Sequence, residues 1–569
     1  MKRSRMLVIG MMLVVVAGLV GARGPLVKKD SVLVLDLGGD IQETAPWNPL
    51  MSLLGEPRLT VLDKLVCLER AARDKRIKAV VVRITRAGYS MAKAQEFRDA
   101  IERFKKDSDK PIQAYLELEG GGNLEYYLAT SCDRVYISPA STLGLTGLAT
   151  FRFYLGGLWE KIYVDMQVDQ IKEYKSAADM LGRKSMSDAE REVTNSILDS
   201  IYGQFLAAVA EGRGVSREEA GAWVDAAWFI PEKYEEAGAI HGVKYLNELV
   251  AELGGAKDTP AVMDKAYLRE SSDKFSKRGP KVAVVYGVGS IVTGEAPAGP
   301  FGRGNIIASG PMAKKLIKAM KDDSIDAVIY RVDSGGGSAL ASDLIWKATQ
   351  RVKEKKPIVV SMSDVAGSGG YYISCGASSI VAQPGTITGS IGILTAQISL
   401  GKLLDKIKVG TEMIGRGEFS EMGRLDRRAT DAEMKKTHDT IASIYDLFLT
   451  RVGSGRSMKN HDVNAIGRGR IWTGEQALEN GLVDKLGGFE EAIEEVKRLL
   501  DVDPEKQVEL VYGHEPVTLW KLLTGRVEEQ VEASLLMPHE REIIRALRAN
   551  GMWEPGAPLA LMPGPVSIR

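Results

Sequence analysis

Short apolar runs rich in β-branched residues alternate with amphipathic stretches along this chain. The apolar runs predict buried strands at 31–37, 78–84 and 112–118, and again at 281–286, 326–332 and 358–362. Helical spacing is clear at 338–352, where Leu340, Leu344, Ala348 and Val352 share one face. Longer helices are predicted at 188–213 and 431–451. Because strands that alternate with helices are typical of parallel sheets, we expect an α/β fold.

The second half of the chain repeats the first at an offset of about 245 residues. One register sets Tyr126, Tyr127, Pro139, Gly144 and Gly147 on Tyr371, Tyr372, Pro384, Gly389 and Gly392. On this register Ser368 falls on Asn123, and with a slightly smaller shift Lys175 falls on Glu418. Each copy therefore lacks a residue type that the other retains.

The repeat predicts two globular units, 31–257 and 281–500, joined by a polar connector at 258–280. Residues 1–30 form a separate N-terminal segment. Residues 501–569 form a tail for which the repeat offers no partner. We expect the two units to be copies of one α/β domain.

The N-terminal segment has the pattern of a targeting sequence. Lys2, Arg3 and Arg5 precede an uncharged apolar stretch that begins at Met6 and ends at Ala22. As a helix this stretch would span roughly 25 Å, at the short edge of what a bilayer core requires. Because Arg23 follows at once, we favour an uncleaved membrane anchor over a cleaved signal peptide, with the body of the protein outside the cytoplasm.

Charge and cysteine content argue against several kinds of partner. Lysine plus arginine equals aspartate plus glutamate at 75 each, so net charge gives no reason to expect nucleic acid. Cys67, Cys132 and Cys375 are widely spaced in apolar surroundings, which favours buried thiols over disulfides or a metal site.

Histidine-based and nucleotide-based chemistry is not indicated. The five histidines lie outside the glycine-rich segments, and no pattern around them suggests a triad or a zinc site. Segment 287–289 lacks the third glycine of a dinucleotide loop, and segment 335–338 lacks the lysine of a phosphate loop. We expect tight turns at both places.

Ser368 has the surroundings of a nucleophile. It follows the predicted strand 358–362 and lies between Gly367 and Gly369, just before a helical segment at 371–375. The glycines allow a sharp turn, and a helix start leaves the Gly369 amide free to face an oxyanion. A second donor can come from the glycine-rich turn at 333–338. The alternative is a serine that only caps the helix.

Without a histidine, the best remaining candidate for the base is a lysine held neutral. A free lysine titrates near 10.4, and burial can bring its pKa down. Lys175 lies between Tyr174 and the small residues 176–178, so it can enter a pocket. The alternative is an ordinary solvated lysine.

Three motifs carry a resemblance to a known family. They are Ala-Gly-Ser-Gly-Gly-Tyr-Tyr at 366–372, Thr-Gly-Ser-Ile-Gly at 388–392 and Tyr-Lys-Ser-Ala at 174–177. Together they resemble the long, two-repeat form of signal peptide peptidase A, also called protease IV, and the resemblance covers nearly the whole chain. It implies a tandem repeat of spiral α/β domains of the crotonase and Clp protease type, and a serine peptidase with a Ser-Lys dyad.

The resemblance also implies a role for each site residue. Ser368 corresponds to the nucleophile, Lys175 to the general base, and Ser390 to a serine that orients the lysine amine. Gly369 and Gly336 correspond to oxyanion donors. The family usually has Asn-Ser-Pro-Gly-Gly-Ser at 333–338, where this chain has Asp-Ser-Gly-Gly-Gly-Ser. Glycine in place of proline makes that turn more flexible.

Assembly, substrate and location follow from the same resemblance. It implies a homotetramer in the inner membrane, with the catalytic body on the periplasmic or extracytoplasmic side, that degrades cleaved hydrophobic signal peptides without a metal or organic cofactor. Two other interpretations compete with it: a non-catalytic membrane-anchored scaffold on the same fold, and an acyl-CoA enzyme of the crotonase type. The survival of Lys175, Ser368 and Ser390 favours the peptidase.

Overall fold

The computed structural model describes residues 27–44, 59–271, 279–295, 305–512 and 559–561. The predicted anchor from Met6 to Ala22 lies outside these residues. Among the residues that are described, no helix combines the length and apolar character needed to cross a bilayer. The three cysteines are buried, as predicted.

The first repeat is built on a parallel six-stranded sheet with helices between its strands. The sheet order is β6-β4-β3-β2-β1-β7. The strands of this part of the chain are β1 Ser31–Asp36, β2 Ile77–Ile84, β3 Ile112–Leu116, β4 Arg134–Ile137, β5 Asp165–Gln170, β6 Gly242–Val243 and β7 Ala261–Met263. The helices are α1 Val61–Arg73, α2 Met91–Asp107, α3 Asn123–Ala129, α4 Gly156–Lys161, α5 Asp179–Gly182, α6 Asp188–Arg213, α7 Arg217–Ala226, α8 Pro231–Glu236, α9 Leu246–Gly254 and α10 Asp264–Ser271.

The second repeat has the same plan. Its main sheet runs β17-β15-β13-β11-β8-β19, with β14 paired to β13 and β18 to β14. The strands are β8 Lys281–Val288, β9 Ser290–Val292, β10 Ile306–Ala308, β11 Ala327–Ser334, β12 Gly336–Ser338, β13 Ile358–Gly367, β14 Ser379–Ala382, β15 Ile387–Gly389, β16 Leu394–Ser399, β17 Ile471–Thr473, β18 Lys485–Leu486, β19 Glu509–Tyr512 and β20 Leu559–Leu561. The helices are α11 Ser309–Lys321, α12 Ala339–Lys353, α13 Gly369–Ser374, α14 Gly401–Lys406, α15 Asp431–Arg456, α16 Asn460–Ile466, α17 Gly474–Glu479 and α18 Phe489–Leu499.

The two long helices begin and end at residues suited to capping. Ser187 accepts a hydrogen bond from the Glu190 amide at the start of α6, and Gly214 ends that helix in the left-handed region with φ 67°. The second long helix, α15, extends beyond its predicted end at 451 because its left-handed cap comes only at Ser457. The predicted positions of both helices are therefore confirmed, with a later end for the second.

Each repeat has an edge strand that lies outside the bounds predicted for it from the sequence. β7 adds to β1 in parallel, and β19 adds to β8 in the same way. The first of these strands lies in the segment predicted as a connector, and the second lies in the predicted tail. Their short length hides the correspondence in the sequence, but both complete the same edge of their sheets.

A third sheet joins the two repeats. Its order is β10-β9-β12-β20-β16-β5, so one strand of the first repeat, β5, pairs with β16 of the second. This pairing is antiparallel along the full length of both strands, from Asp165 opposite Ser399 to Gln170 opposite Leu394. It fixes the position of the chain that follows β5, which leads to Lys175.

Candidate active site

Ser368 lies at the point where β13 ends and α13 begins. Its side chain is fully buried, and its backbone has φ 55° and ψ −114°, a conformation that residues other than glycine seldom adopt. The Ser368 amide donates to the carbonyl oxygen of Gly389 at 2.8 Å, which holds the turn. Strained backbone of this kind recurs at functional sites, where the surrounding structure supports it.

Lys175 reaches the same place from the other repeat. After β5, the Ile171 amide donates to the Ile393 carbonyl at 2.9 Å, and the Tyr174 amide donates to the Arg468 carbonyl at 3.2 Å. These bonds attach the segment to two loops of the second repeat. The side chain of Lys175 then extends inward and is completely buried.

The structure brings Lys175, Ser368 and Ser390 together. Lys175 Nζ lies 2.6 Å from Ser368 Oγ, 3.0 Å from Ser390 Oγ and 2.9 Å from the Ser390 carbonyl oxygen. Ser390 also has a positive φ, 53°, and its amide donates to the Arg470 carbonyl at 2.7 Å. Both serines are therefore held against the amine by strained, hydrogen-bonded backbone.

The surroundings of Lys175 favour a neutral amine. Burial lowers its pKa well below the ordinary lysine value. A neutral amine has two N–H donors and one lone pair, which matches one carbonyl acceptor and two hydroxyl groups. It can donate to the two oxygens of Ser390 while its lone pair accepts the hydroxyl proton of Ser368.

Two glycines that sequence reasoning left without a role make room for Lys175. A Cβ added at Gly469 would lie 2.5 Å from the Cα and 2.6 Å from the Cβ of Lys175. A Cβ added at Gly392 would lie 2.9 Å from the Lys175 Cδ. Gly469 gives no signal in the sequence, because its importance comes from the segment after β5 in the other repeat, which carries Lys175 and packs against it.

The two predicted oxyanion donors lie next to each other. Gly369 is the first residue of α13, so its amide has no acceptor within the helix. A Cβ added there would lie 3.0 Å from the Cα of Gly336. The Gly336 amide donates to Ser334 Oγ at 3.1 Å, so this donor already has a partner. Their roles stay predictions, and a substrate oxygen at Gly336 would replace the Ser334 hydroxyl.

In the first repeat, the position that corresponds to Ser368 is occupied by Asn123, whose side chain is engaged in hydrogen bonds. Asn123 Oδ1 accepts from the amides of Thr146 and Gly147 at 3.1 and 3.3 Å, and Nδ2 donates to the Gly147 carbonyl at 2.9 Å. Glu418, the counterpart of Lys175, is exposed in the second repeat. The asparagine thus joins the start of α3 to the loop at 146–147, at the position where the second repeat has Ser368.

A comparison with known families matches both repeats. The profile of peptidase family S49 matches residues 104–259 and 350–503. The chain belongs to peptidase family S49. Serine protease SPPA, chloroplastic, from Arabidopsis thaliana is 35% identical over 511 residues, which cover 88% of this chain and 74% of that protein. Protease 4 of Haemophilus influenzae is 28% identical over 517 residues, covering 84% and 81%.

Membership of family S49 makes the chain a serine peptidase, and these relatives agree with the two-repeat form of signal peptide peptidase A that the motifs indicated. Among solved structures, a ClpP1 mutant from Listeria monocytogenes aligns at 12% identity with a TM-score of 0.24, over 37% of this chain and 94% of that one. A TM-score this low supports no conclusion about the fold.

Proposed function

We propose that this S49 member is a membrane-anchored endopeptidase in which Lys175 and Ser368 form a Ser-Lys dyad. The observation that carries the proposal is the buried amine of Lys175, 2.6 Å from Ser368 Oγ and next to two oxygens of Ser390. Burial keeps the amine neutral, and Ser390 keeps its lone pair directed at the nucleophile. The same arrangement argues against a scaffold, which has no need of a buried lysine whose described neighbours include no charged partner.

The proposed reaction uses groups of this chain only. Lys175 Nζ takes the hydroxyl proton of Ser368 as Oγ attacks the carbonyl carbon of a peptide bond. The amides of Gly369 and Gly336 stabilise the oxyanion that forms. The protonated amine of Lys175 then gives its proton to the leaving amine, and water hydrolyses the ester of Ser368 with Lys175 again as base.

An extended peptide is the substrate that suits the strands beside the site. The backbone of β20 pairs antiparallel with β12, with Gly336 opposite Leu561, and it also meets β16 at Leu394. The gap between β12 and β16 therefore accepts an apolar segment as an added strand. We propose hydrophobic signal peptides as substrates, in keeping with the resemblance of the motifs.

The remaining expectations from the resemblance belong to the same proposal. We propose anchoring through residues 6–22 in the inner membrane, with the peptidase body on the periplasmic or extracytoplasmic side, and spiral α/β repeats of the crotonase and Clp protease type. We also propose a homotetramer, and the contact between subunits that it requires is supported by apolar side chains exposed on loops of both repeats. They are Phe151, Phe153 and Tyr163 in the first, and Ile407, Met413 and Ile414 in the second.

The test is hydrolysis of a fluorogenic apolar peptide by the purified full-length chain. Ser368→Ala and Lys175→Ala should each lower kcat by at least about a thousandfold, because each removes one half of the proton transfer. Lys172→Ala, an exposed lysine on the same segment, is the matched control and should keep the wild-type rate. A folded Lys175→Ala protein with near wild-type kcat would show that the dyad assignment is wrong.

A further inference from the structure

A second buried lysine of the first repeat lies behind the candidate site, where the repeats pack together. Lys93 Nζ, from the first turn of α2, lies 2.9 Å from Asp333 Oδ2 and 3.5 Å from Asp364 Oδ2. Glu43 lies slightly further away, at 3.8 Å. Both aspartates belong to the second repeat, so the lysine bridges two of its segments from outside.

The two segments are the ones that lead to the predicted oxyanion turn and to the nucleophile. Asp333 is the second-last residue of β11, just before the turn that contains Gly336. Asp364 lies in β13, shortly before Ser368. Between the pairs Val332–Met362 and Ser334–Ala366 the register of these strands shifts. β13 therefore bulges where it approaches Ser368, and bulges of this kind redirect the residues that follow.

The bulge depends on the first repeat for its hydrogen bonds. Asp364 accepts from the amides of Ser90 and Lys93 at 3.1 and 3.0 Å, so its carboxylate caps α2. Within the second repeat, Asp333 Oδ1 accepts from the Val365 amide at 3.2 Å. The carboxylate of Asp333 thus meets the bulge on one oxygen and Lys93 on the other.

The charge of Lys93 is stable in this setting, in contrast to that of Lys175. Burial alone would lower its pKa, but the carboxylates of Asp364, Asp333 and Glu43 raise it well above the ordinary lysine value. Without this cation, the carboxylates of Asp333 and Asp364 would face each other with little water to screen them. Their repulsion would separate the two segments that carry Gly336 and Ser368.

We propose that Lys93 is a positioning residue for the peptidase reaction: by pairing with Asp333 and Asp364 it fixes the distance between the turn at Gly336 and the nucleophile Ser368. The proposal rests on the proposed function of the site. It also gives a reason for Asp333, where the resembling family usually has asparagine: a partly buried carboxylate close to Asp364 is stabilised by a cation, and Lys93 supplies it.

The predicted consequence is a loss of kcat with little change in KM. Among the described residues, Lys93 Nζ contacts the two segments that carry the site through Asp333 and Asp364. Its loss would misplace the donor at Gly336 relative to Ser368, which affects the transition state. Misplacement of reacting groups by about 1 Å lowers rates by about a hundredfold.

The experiment compares three variants of the full-length chain on the same fluorogenic peptide, with folding followed by thermal unfolding. Lys93→Met should lower kcat by about tenfold to a hundredfold and leave KM within about twofold. Lys93→Arg keeps the cation and should recover most of the loss. Lys64→Met is the matched control, because Lys64 is also a buried lysine of the first repeat, with Asp264 as its partner at 2.5 Å. It should keep kcat within about twofold of the wild type.

The inference is overturned if folded Lys93→Met has the kcat of Lys64→Met, if only KM changes, or if Lys93→Arg is as impaired as Lys93→Met. If Lys93→Met does not fold, Lys93→Met is combined with Asp333→Asn, which removes one of the two carboxylate charges left without Lys93 and with it their mutual repulsion. The double variant should then have a lower kcat than Asp333→Asn alone, and equal values would refute the positioning role. If the wild type is active and the Lys93 variants are equally active, the positioning role is refuted and the proposed function stands. If the wild type is inactive, the proposed function itself is refuted.

Discussion

Gly469→Ala tests whether the position of Lys175 depends on a glycine of the other repeat. The new Cβ would lie 2.5 Å from the Lys175 Cα, whereas ordinary contact begins near 3.4 Å, so about 0.9 Å of movement is required. The neighbouring atoms are backbone or attached directly to it, so the lysine segment itself must move. Displacement of the amine on this scale should lower kcat by about a hundredfold.

A second glycine separates this overlap from backbone strain. Gly469 has φ 87° and Gly423 has φ 84°, but a Cβ at Gly423 has nothing within 4 Å. Alanine in this region costs roughly 1–2 kcal/mol of stability at either position. We therefore expect Gly423→Ala to show the loss of stability from backbone strain alone in urea unfolding and Gly469→Ala to lose more, because of the added overlap. Only Gly469→Ala should lose activity against the fluorogenic peptide.

Equal kcat values for the two glycine variants would refute this reasoning, because strain alone would then account for the effect. A Gly469→Ala protein that regains activity at higher pH would point instead to an altered lysine pKa. Crystal structures of the variant would distinguish a moved Nζ from an unmoved one.

Three further predictions concern stability. Lys175→Met should raise the melting temperature at pH 7, because burial disfavours the protonated amine that the unfolded chain carries; the difference should shrink as the pH rises towards about 10.4. Asn123→Ala should lower the free energy of unfolding by about 1–3 kcal/mol without changing kcat, since its bonds join two loops away from the dyad. Burial alone would raise the pKa of Glu43, but Arg331 and Lys93 lower it to about 2. Glu43→Gln should therefore lower the free energy of unfolding by about 3 kcal/mol at pH 7, as measured by urea titration. This difference from the wild type should disappear as the pH falls from about 4.5 to about 2.

Contrary results would be informative in each case. A lower melting temperature for Lys175→Met at pH 7 would mean that the amine is charged and paired. A changed kcat for Asn123→Ala would mean that the hydrogen bonds of Asn123 in the first repeat affect the reaction. A pH-independent deficit for Glu43→Gln would mean that its ion pair with Arg331 does not govern the titration.

The sequence identified the elements of the fold because burial leaves a periodic trace. A strand covered on both faces, such as β11, must be largely apolar, and its buried Arg331 is paired with Glu43 and Glu96. The spacing of apolar residues located the helix α12 but not its buried side, since Leu340 and Leu344 are exposed whereas Ala348 and Val352 are buried. The repeat also indicated the proposed dyad, since Lys175 and Ser368 each remain in one copy only. These are local properties of the chain, and each can be recognised without knowing what packs against it.

The tertiary structure alone decided which residues meet. Lys175 and Ser368 are 193 positions apart, and the pairing of β5 with β16 brings them within hydrogen-bonding distance. The same pairing gives Gly469 its role, and the packing of α2 on β13 gives Lys93 its carboxylate partners. Two buried lysines of one repeat have pKa values shifted in opposite directions, because one is surrounded by hydroxyl and carbonyl oxygens and the other by carboxylates. Burial and charge at a point in space depend on distant parts of the chain, so no local pattern of residues records them.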